Sequence, residues 1–273
     1  GGVVVKNVTG YDLSKLICGS YGTLVALTEI TFKVLPAPEE SKTLIIHNQK
    51  IETAIESIKE AKRIGANAIK IQTYTADTMT IDSKKEDFVI KGTIWNDREL
   101  YGLYQEAYTP WEWHEKLFQV AKEEGIIIFS TPFDKSSVDF LEKLNVPAYK
   151  IASFEITDIP LIKYVASKRK PIILSTGIAD RDDIELALNT IREEGNNDIV
   201  LLKCTSSYPS PIEEANLKSI TSYKDQFNVI PGISDHTLGS ICPVVAVSLG
   251  ARFVEKHFIL NRGIDSPDSK FSM

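Results

Sequence analysis

From about residue 43 onward, short apolar runs alternate with longer amphipathic stretches, and this alternation limits the possible folds more than any other feature. Apolar runs without polar alternation are typical of strands covered on both faces, as in parallel sheets. Between the runs, apolar residues recur at helical spacing, for example at Ile51, Ile55 and Ile58. The predicted strands are residues 43–46, 68–72, 126–130, 147–151, 171–175, 199–204, 229–233 and 253–257.

Eight strands alternating with helices predict an α/β fold of the TIM-barrel type, a (β/α)8 barrel, which usually takes about 250 residues. A doubly wound open sheet is the alternative, because the number of strands does not show whether the sheet closes. Gly65, Gly125 and Gly195 stand where helices are expected to end. One connection, residues 73–110, is far longer than a usual strand-to-helix loop and is predicted to form a lid or binding loop on the catalytic side.

Residues 1–42 have a different pattern, a strand, a short helix, a glycine turn and a second strand before a proline break at Pro36. This pattern predicts an N-terminal α+β fragment appended to the barrel. It is too short to form a core of its own. The predicted domains are therefore residues 1–42 and residues 43–273.

The composition, with 43% hydrophobic and 25% charged residues, is ordinary for a soluble globular protein. A net charge of −6 argues against nucleic acid as a partner. Three scattered cysteines, Cys18, Cys204 and Cys242, favour a reducing cytoplasm over a secreted disulfide scaffold. No apolar run reaches the ~18 residues that span a bilayer, so a cytoplasmic location without a membrane partner is expected.

Two histidines, His236 and His257, stand at the ends of the last two predicted strands. The carboxyl ends of barrel strands meet at one face, where barrel enzymes place their chemistry. Neutral imidazole is a common ligand of divalent metals. The pair therefore predicts a shared metal ion at the barrel mouth, whereas His114, in a helical stretch, is predicted to be structural.

Polar side chains end or follow most of the other predicted strands. Lys70 and Lys150 interrupt runs that are otherwise apolar, and a buried ammonium group is costly without an anionic partner. A strand-end serine can instead cap a helix, and Lys70 can extend to the rim. Convergence at one face favours a cradle for phosphate or carboxylate. The strand-end residues include Gln72, Thr131, Phe133, Ser153, Glu155, Ser175, Ser206, Tyr208 and Ser234.

Several of these residues fall within motifs. The motifs are Ile69-Lys-Ile-Gln-Thr-Tyr-Thr, Phe129-Ser-Thr-Pro-Phe-Asp, Tyr149-Lys-Ile-Ala-Ser-Phe-Glu, Leu202-Lys-Cys-Thr-Ser-Ser-Tyr-Pro, Ser234-Asp-His-Thr-Leu-Gly and Val254-Glu-Lys-His-Phe. Together they resemble the sialic acid synthase family, and within it the pseudaminic acid synthase branch, over about residues 44–273. The resemblance implies a TIM-barrel transferase that condenses phosphoenolpyruvate with a diacetamido-trideoxy hexose to give pseudaminic acid and phosphate.

The resemblance also implies roles for individual residues. His236 and His257 would bind a divalent metal, manganese in the first place, with magnesium, cobalt or zinc as alternatives; FAD is not expected. Glu155, Lys70 and His236 would be catalytic, and Phe133 would contact the substrate. Phosphoenolpyruvate would be held by Lys70, Thr131, Lys150, Ser153, Ser175, Ser206 and Ser234, and the sugar by Gln72, Glu155, Tyr208 and Asp268.

The sequence departs from the family pattern in two places. The family's first strand ends in an acidic residue, which is absent before His47, and residues 43–46 are expected to substitute for that strand. The family forms homodimers in which a C-terminal antifreeze-like domain reaches the partner's site, whereas this sequence stops at Met273. An impaired synthase and an inactive remnant that still binds phosphoenolpyruvate and metal are therefore alternatives to a fully active enzyme.

Residues 1–42 carry a second resemblance. Val5-Lys-Asn-Val-Thr-Gly-Tyr-Asp-Leu-Ser-Lys and Gly19-Ser-Tyr-Gly-Thr-Leu are similar to part of the flavin-binding domain of FAD-linked glycolate or lactate oxidases. This resemblance implies a chimeric chain and makes an FAD-linked oxidoreductase fragment a further alternative.

Overall fold

The structure, a computed structural model, describes residues 39–43, 50–91, 95–263 and 271–273. Its strands are β1 (Glu39–Thr43), β2 (Ala68–Thr73), β3 (Ile127–Pro132), β4 (Tyr149–Ile151), β5 (Ile172–Ser175), β6 (Ile199–Cys204), β7 (Ile230–Asp235) and β8 (Phe253–His257). From β2 to β8 each strand runs parallel to the next in chain order and the sheet curls. β1 pairs in parallel with both β2 and β8, which closes the barrel. The predicted barrel is thus found among the described residues, and the open-sheet alternative is wrong.

The described first strand begins before the predicted one and shares Thr43 with it. The apolar run at 43–46 predicted the strand, but β1 is Glu39–Thr43, and residues 44–49 lie outside the described residues. Its bounds follow from backbone pairing with both neighbours, since Thr43 is in register with Lys70 on one side and His257 on the other. The predicted domain boundary at 42/43 therefore falls inside β1. The predicted α+β fragment lies outside the described residues up to residue 38.

Helices cover the outside of the sheet. They are α1 (Ile51–Arg63), α2 (Ala76–Met79), α3 (Leu100–Ala107), α4 (Trp111–Glu124), α5 (Lys135–Lys143), α6 (Ile159–Ala166), α7 (Arg181–Glu193), α8 (Ser219–Phe227) and α9 (Ile241–Ser248). The Asp134 carboxylate caps α5 by accepting hydrogen bonds from the backbone N–H groups of Ser136 and Ser137. Gly125 ends α4 in the left-handed conformation, with φ of 66°, as predicted for a helix stop. Among the helices in the described ranges, none has the length and apolar character needed to cross a membrane.

The long connection between β2 and α4 is folded rather than an open loop. It contains α2, a 3-10 turn at Glu86–Phe88, and α3. The ring of Tyr74 packs edge-on against Tyr104 with centroids 5.8 Å apart. The Trp111 indole N–H donates a hydrogen bond to the Tyr74 carbonyl at 3.1 Å. These contacts hold the connection as a wall over the carboxyl end of the barrel.

The core lies between the strands and the surrounding helices. Its largest cluster joins β3 to β7 with the helices on their outer face, through residues such as Leu141, Ile162 and Leu201. A second cluster packs α1 and α4 onto β2 and β3, through residues such as Ile58 and Leu117. The strands are thereby fixed on their outer face, which leaves their inner side chains at the carboxyl end to form a site.

Candidate active site

A cavity of about 570 Å³ opens at the carboxyl ends of the strands. This is the end at which barrel enzymes carry their active sites. Eleven of the residues predicted from the sequence line the cavity, although β2 and β8 are far apart in the chain. They are Lys70, Gln72, Phe133, Lys150, Ser153, Glu155, Ser175, Tyr208, Ser234, His236 and His257.

Three predicted residues are not part of this lining. Thr131 is fully buried on β3, and Ser206 lies close to Ser153, since a Cβ added at Gly177 would be 2.0 Å from the Ser206 oxygen and 2.6 Å from the Ser153 oxygen. A larger residue at position 177 would therefore displace both hydroxyls. The third, Asp268, lies outside the described residues.

Buried hydroxyl groups in this region lack partners. Among the described residues, the side-chain oxygens of Thr131, Ser175 and Ser206 are buried without a hydrogen bond. Buried polar groups in folded proteins are almost always satisfied, so unsatisfied ones at a cavity call for a ligand. Hydroxyls can donate to the oxygens of an anion. Ser175, which lines the cavity, therefore fits the anion cradle that the sequence predicted, whereas Thr131 and Ser206 are buried outside the lining.

The two lysines share a counter-charge that the sequence analysis did not identify. Lys150 Nζ lies 3.1 Å from Glu255 Oε1, and Lys70 Nζ lies 3.5 Å from the same oxygen. The Ser234 hydroxyl donates a third hydrogen bond to it at 3.0 Å. All four side chains are buried and line the cavity. The anionic partner that the sequence predicted for the lysines is therefore supplied, in part, by Glu255 of the chain itself.

The pKa values of Lys70 and Glu255 are strongly shifted from their ordinary values. Burial lowers the pKa of Lys70 to about 8, against the opposing effect of Glu255. Burial by itself would raise the pKa of Glu255, but the charges of Lys150 and Lys70 outweigh it and lower that pKa to about 2. Glu255 is therefore an anion at any pH at which the protein would operate.

Glu155 differs from Glu255, because none of the ion pairs among the described residues joins it to a lysine, whereas Glu255 contacts two. Burial raises the pKa of the Glu155 carboxyl above its ordinary value, although more distant lysine charges act in the opposite direction. One of its oxygens, Oε2, is buried and has no hydrogen-bond partner among the described residues. A carboxyl group with a raised pKa at a cavity is suited to hold and transfer a proton.

The two predicted metal ligands lie side by side. The ring centroids of His236 and His257 are 5.2 Å apart, with the rings inclined at 68°. Two imidazoles that bind one ion at about 2.1 Å from each nitrogen have ring centres roughly 5 Å apart. His236 Nδ1 lies 2.9 Å from the Thr205 carbonyl, the contact that usually orients a metal-binding histidine. The pair fits a shared ion.

Protein ligands beyond this pair are lacking in the part of the chain that is described. There, no group of three or more His, Cys, Asp and Glu side chains converges as a metal site.

Side chains alternate along β7 and β8, so that one set of polar residues faces the cavity and the other faces away from it. Ser234, His236 and His257 face the cavity together with Glu255. Asp235 and Lys256, one residue along in each strand, point the other way and form a buried ion pair at 2.6 Å. This period of two follows from strand geometry. It could have identified Glu255 from the sequence, because Glu255 lies two residues before His257.

The connection between β2 and α4 supplies an apolar wall, defined here as Met79, Ile90, Leu100, Leu103 and Ala107. The cavity thus has an apolar side and a charged floor, which consists of Lys70, Lys150 and Glu255. The prediction that residues 73–110 form part of the site agrees with this placement.

Cys204 and His114 differ in their relation to the cavity, since Cys204 lines it and His114 does not. Cys204, which the sequence analysis did not assign to the site, also lines the cavity, with its sulfur 3.9 Å from His236 Nδ1. Burial would raise the pKa of the Cys204 thiol, but the hydrogen bond and charge of His236 lower it to about 7. His114 is fully buried on α4 and contacts the Thr73 hydroxyl at 2.8 Å, away from the cavity. The prediction that His114 is structural is confirmed.

The sequence profile of the NeuB family matches residues 57–273. The chain is 52% identical over 227 residues to the pseudaminic acid synthase of Campylobacter jejuni, which covers 83% of this chain and 66% of that protein. It is 51% identical over 227 residues to the pseudaminic acid synthase of Helicobacter pylori, again over 83% of this chain and over 67% of that protein. The chain thus spans about two thirds of the length of these relatives.

Solved structures share the fold. A sialic acid synthetase from Leptospira borgpetersenii in complex with citrate superposes with a TM-score of 0.78 at 27% identity, covering 90% of this chain and 83% of that one. The spore coat polysaccharide biosynthesis protein SpsE of Bacillus subtilis gives a TM-score of 0.74 at 34% identity, covering 87% of this chain and 64% of that one. The strand arrangement described above therefore recurs in these proteins.

Proposed function

Because this chain belongs to the NeuB family, we propose that it condenses phosphoenolpyruvate with a diacetamido-trideoxy hexose to give pseudaminic acid and phosphate. One observation carries the proposal: a single cavity joins two buried lysines and a histidine pair to a carboxyl group of raised pKa. Relatives that are about half identical to the chain are pseudaminic acid synthases, which supports this choice of product.

The charged floor is the proposed site for phosphoenolpyruvate. Its phosphate and carboxylate need cations and hydrogen-bond donors, and Lys70 and Lys150 supply the cations. The unpartnered hydroxyl of Ser175, which lines the cavity, supplies a donor that the described residues leave unused. Charge-assisted hydrogen bonds of this kind are stronger than neutral ones, so they fix the orientation of the anion.

The sugar is proposed to lie between the floor and the apolar wall, with Gln72, Phe133 and Tyr208 also in contact with the cavity. A trideoxy sugar with two acetamido groups exposes methyl groups where other hexoses carry hydroxyls. Apolar side chains such as Leu103 accept a methyl group and leave a hydroxyl unpaired. The wall thus supports an N-acylated deoxy sugar over a polyhydroxylated one.

His236 and His257 are the proposed ligands of a divalent metal, with manganese the first candidate. When bound, such an ion polarises the aldehyde of the sugar as a Lewis acid. Both imidazoles and Glu155 line the same cavity, which supports a role for all three toward one substrate.

The reaction forms one carbon–carbon bond. The enol carbon of phosphoenolpyruvate attacks the aldehyde carbon, and the aldehyde oxygen takes up a proton, for which Glu155 is the proposed donor. Water then adds to C2 and gives up one proton, which replaces the proton donated to the aldehyde oxygen. The bond between C2 and the bridging oxygen breaks, so that phosphate leaves with the bridging oxygen, and the added hydroxyl passes its second proton to the phosphate and becomes the C2 carbonyl. Lys70, Lys150 and the Ser175 hydroxyl stabilise the charge of the anion throughout.

The direct test is phosphate release. The purified chain with phosphoenolpyruvate, manganese and the diacetamido-trideoxy hexose is expected to release one phosphate for each nonulosonate formed. N-acetylmannosamine has hydroxyl groups where the diacetamido-trideoxy hexose has its deoxy positions and its second acetamido group. Its kcat/KM is expected to be lower than that of the diacetamido-trideoxy hexose by roughly tenfold or more. Omitting the sugar is the control. No phosphate release at high enzyme concentration with the matching sugar would contradict the proposal.

The metal site is tested by binding rather than turnover. Calorimetric titration with manganese is expected to show one site, and His236→Ala and His257→Ala should each weaken it by about 100-fold or more, because each removes one of two protein ligands. Glu155→Gln, a change in the same cavity outside the pair, should leave manganese affinity unchanged. Equal manganese affinity in the wild type and both histidine variants would remove this assignment.

The resemblance of residues 1–42 to an FAD-linked oxidase remains a separate prediction about that segment. A flavin would colour the purified protein, since the spectrum belongs to the cofactor. An absorption spectrum without flavin bands would exclude the alternative of an FAD-linked oxidoreductase fragment and leave the synthase proposal unaffected.

A further inference from the structure

Glu255 contacts three other side chains of the cavity, and none of the roles assigned so far uses it. Its Oε1 atom lies within 3.5 Å of both Lys70 Nζ and Lys150 Nζ and accepts a hydrogen bond from Ser234. Its other oxygen, Oε2, is buried and has no hydrogen-bond partner among the described residues. One carboxylate oxygen thus joins side chains from β2, β4 and β7 across the barrel mouth.

Two buried ammonium groups without a counter-charge would be unfavourable. The side chains of Lys70 and Lys150 are 5% and 3% exposed, so water screens them little. The charge of Lys150 also lowers the pKa of Lys70. Without a resident anion, one lysine would lose its proton or turn away from its neighbour. Either change would remove a cation from the floor before a ligand arrives.

We propose that Glu255 is a positioning residue that holds Lys70 and Lys150 together in a binding-ready arrangement for phosphoenolpyruvate. Ser234 fixes the carboxylate by its hydrogen bond, and the carboxylate fixes the two ammonium groups. The proposal rests on the proposed function for the identity of the ligand, but not for the arrangement of the lysines. Preorganised charges bind an anion more tightly because they do not have to be reoriented on binding.

If Glu255 instead competes with phosphoenolpyruvate for the lysines, the opposite change in affinity is expected. A carboxylate beside a bound dianion repels it, so Glu255 could weaken binding by competing for the lysines. Removing its charge would then tighten the binding of phosphoenolpyruvate. The sign of the change in affinity therefore decides between positioning and competition.

The experiment measures the dissociation constant of phosphoenolpyruvate by calorimetry, without sugar. Glu255→Gln, which keeps the shape and removes the charge, is expected to weaken binding by about tenfold or more, the loss of a charge-assisted contact. Glu255→Asp, which keeps the charge and shortens the reach, should bind more tightly than Glu255→Gln. A role in packing alone predicts the reverse order, because Gln is the better match in volume.

Glu142→Gln is the matched control. Glu142 accepts hydrogen bonds from Lys170 at 2.8 Å and Tyr149 at 2.6 Å on the outer face of the barrel, away from the cavity. The same substitution there should leave the affinity for phosphoenolpyruvate unchanged. Thermal unfolding of all variants shows whether each one folds.

Kinetics provide a second readout. In the variants with turnover, Glu255→Gln is expected to raise KM for phosphoenolpyruvate by about tenfold and KM for the sugar by less than about threefold. Unchanged or tighter binding of phosphoenolpyruvate by Glu255→Gln would overturn the inference. If the wild type binds phosphoenolpyruvate but releases no phosphate with any sugar, the proposed function fails while the binding data still decide the role of Glu255.

Discussion

Lys150→Met is expected to lower kcat/KM for phosphoenolpyruvate by about 10²- to 10³-fold, the cost of removing one donor aimed at reacting charge. Lys150 is 2% exposed on β4 and lines the cavity. Methionine keeps most of the side-chain volume and removes the ammonium group. Glu255 would keep two partners, Lys70 at 3.5 Å and Ser234 at 3.0 Å, so the fold should survive. Initial rates at varied phosphoenolpyruvate and saturating sugar measure the effect.

Lys256→Met is the comparison variant for this prediction. Lys256 is as deeply buried as Lys150 and is ion-paired with Asp235 at 2.6 Å, but it faces away from the cavity. Its loss leaves a buried carboxylate without a cation and is expected to destabilise the fold by about 3–5 kcal/mol. The KM of the folded fraction for phosphoenolpyruvate should change by less than about threefold. Similar kinetics in both variants would show that Lys150 acts through stability alone.

Glu155→Gln is expected to lower kcat by about 10²- to 10⁴-fold, the usual contribution of a positioned proton donor. The amide has nearly the same shape but carries no transferable acidic proton. Its KM values should change little, in contrast to Glu255→Gln, for which KM for phosphoenolpyruvate is expected to rise. Rapid-quench measurement of product formation would separate the chemical step from product release.

The pH dependence follows from the raised pKa of Glu155. Burial disfavours the carboxylate, so the proton stays bound to higher pH than on an exposed glutamate. As a proton donor, Glu155 is active in its protonated form, and the rate should fall as pH rises through this raised pKa. Glu155→Gln should lose that limb of the profile. A wild-type rate that instead increases through the same range would identify Glu155 as a base.

Much of the barrel could be predicted because its signals are local. The runs at 199–204 and 253–257 became β6 and β8 with unchanged bounds, since strands covered on both faces must be apolar on both. Residues 39–42 of β1 were not predicted as strand, because they are polar in sequence and form a strand through pairing with β2 and β8. Pairing between residues more than 200 positions apart leaves no trace in a local pattern.

The residues of the candidate site could be predicted where they lie at the ends of strands, because the strand ends themselves could be predicted from the sequence. Lys70, Lys150, His236 and His257 were expected at one mouth because the carboxyl ends of barrel strands converge, and they do line one cavity. The apolar wall could be predicted only as a long connection. Which of its side chains face the cavity depends on how α2 and α3 pack, and that packing is set by contacts such as Tyr74 with Tyr104.

The amino-acid sequence by itself determined the alternating strands and helices, the polar residues at the strand ends and the membership of a family, because each depends on residue type and spacing along the chain. Only the tertiary structure decided that Glu255 stands between the two lysines. The sequence required an anion for Lys70 and Lys150 but not its source, since a ligand and a side chain satisfy a buried ammonium group equally well. The closed barrel brings β8 beside β7 and across from β2 and β4, and this placement makes the anion part of the protein.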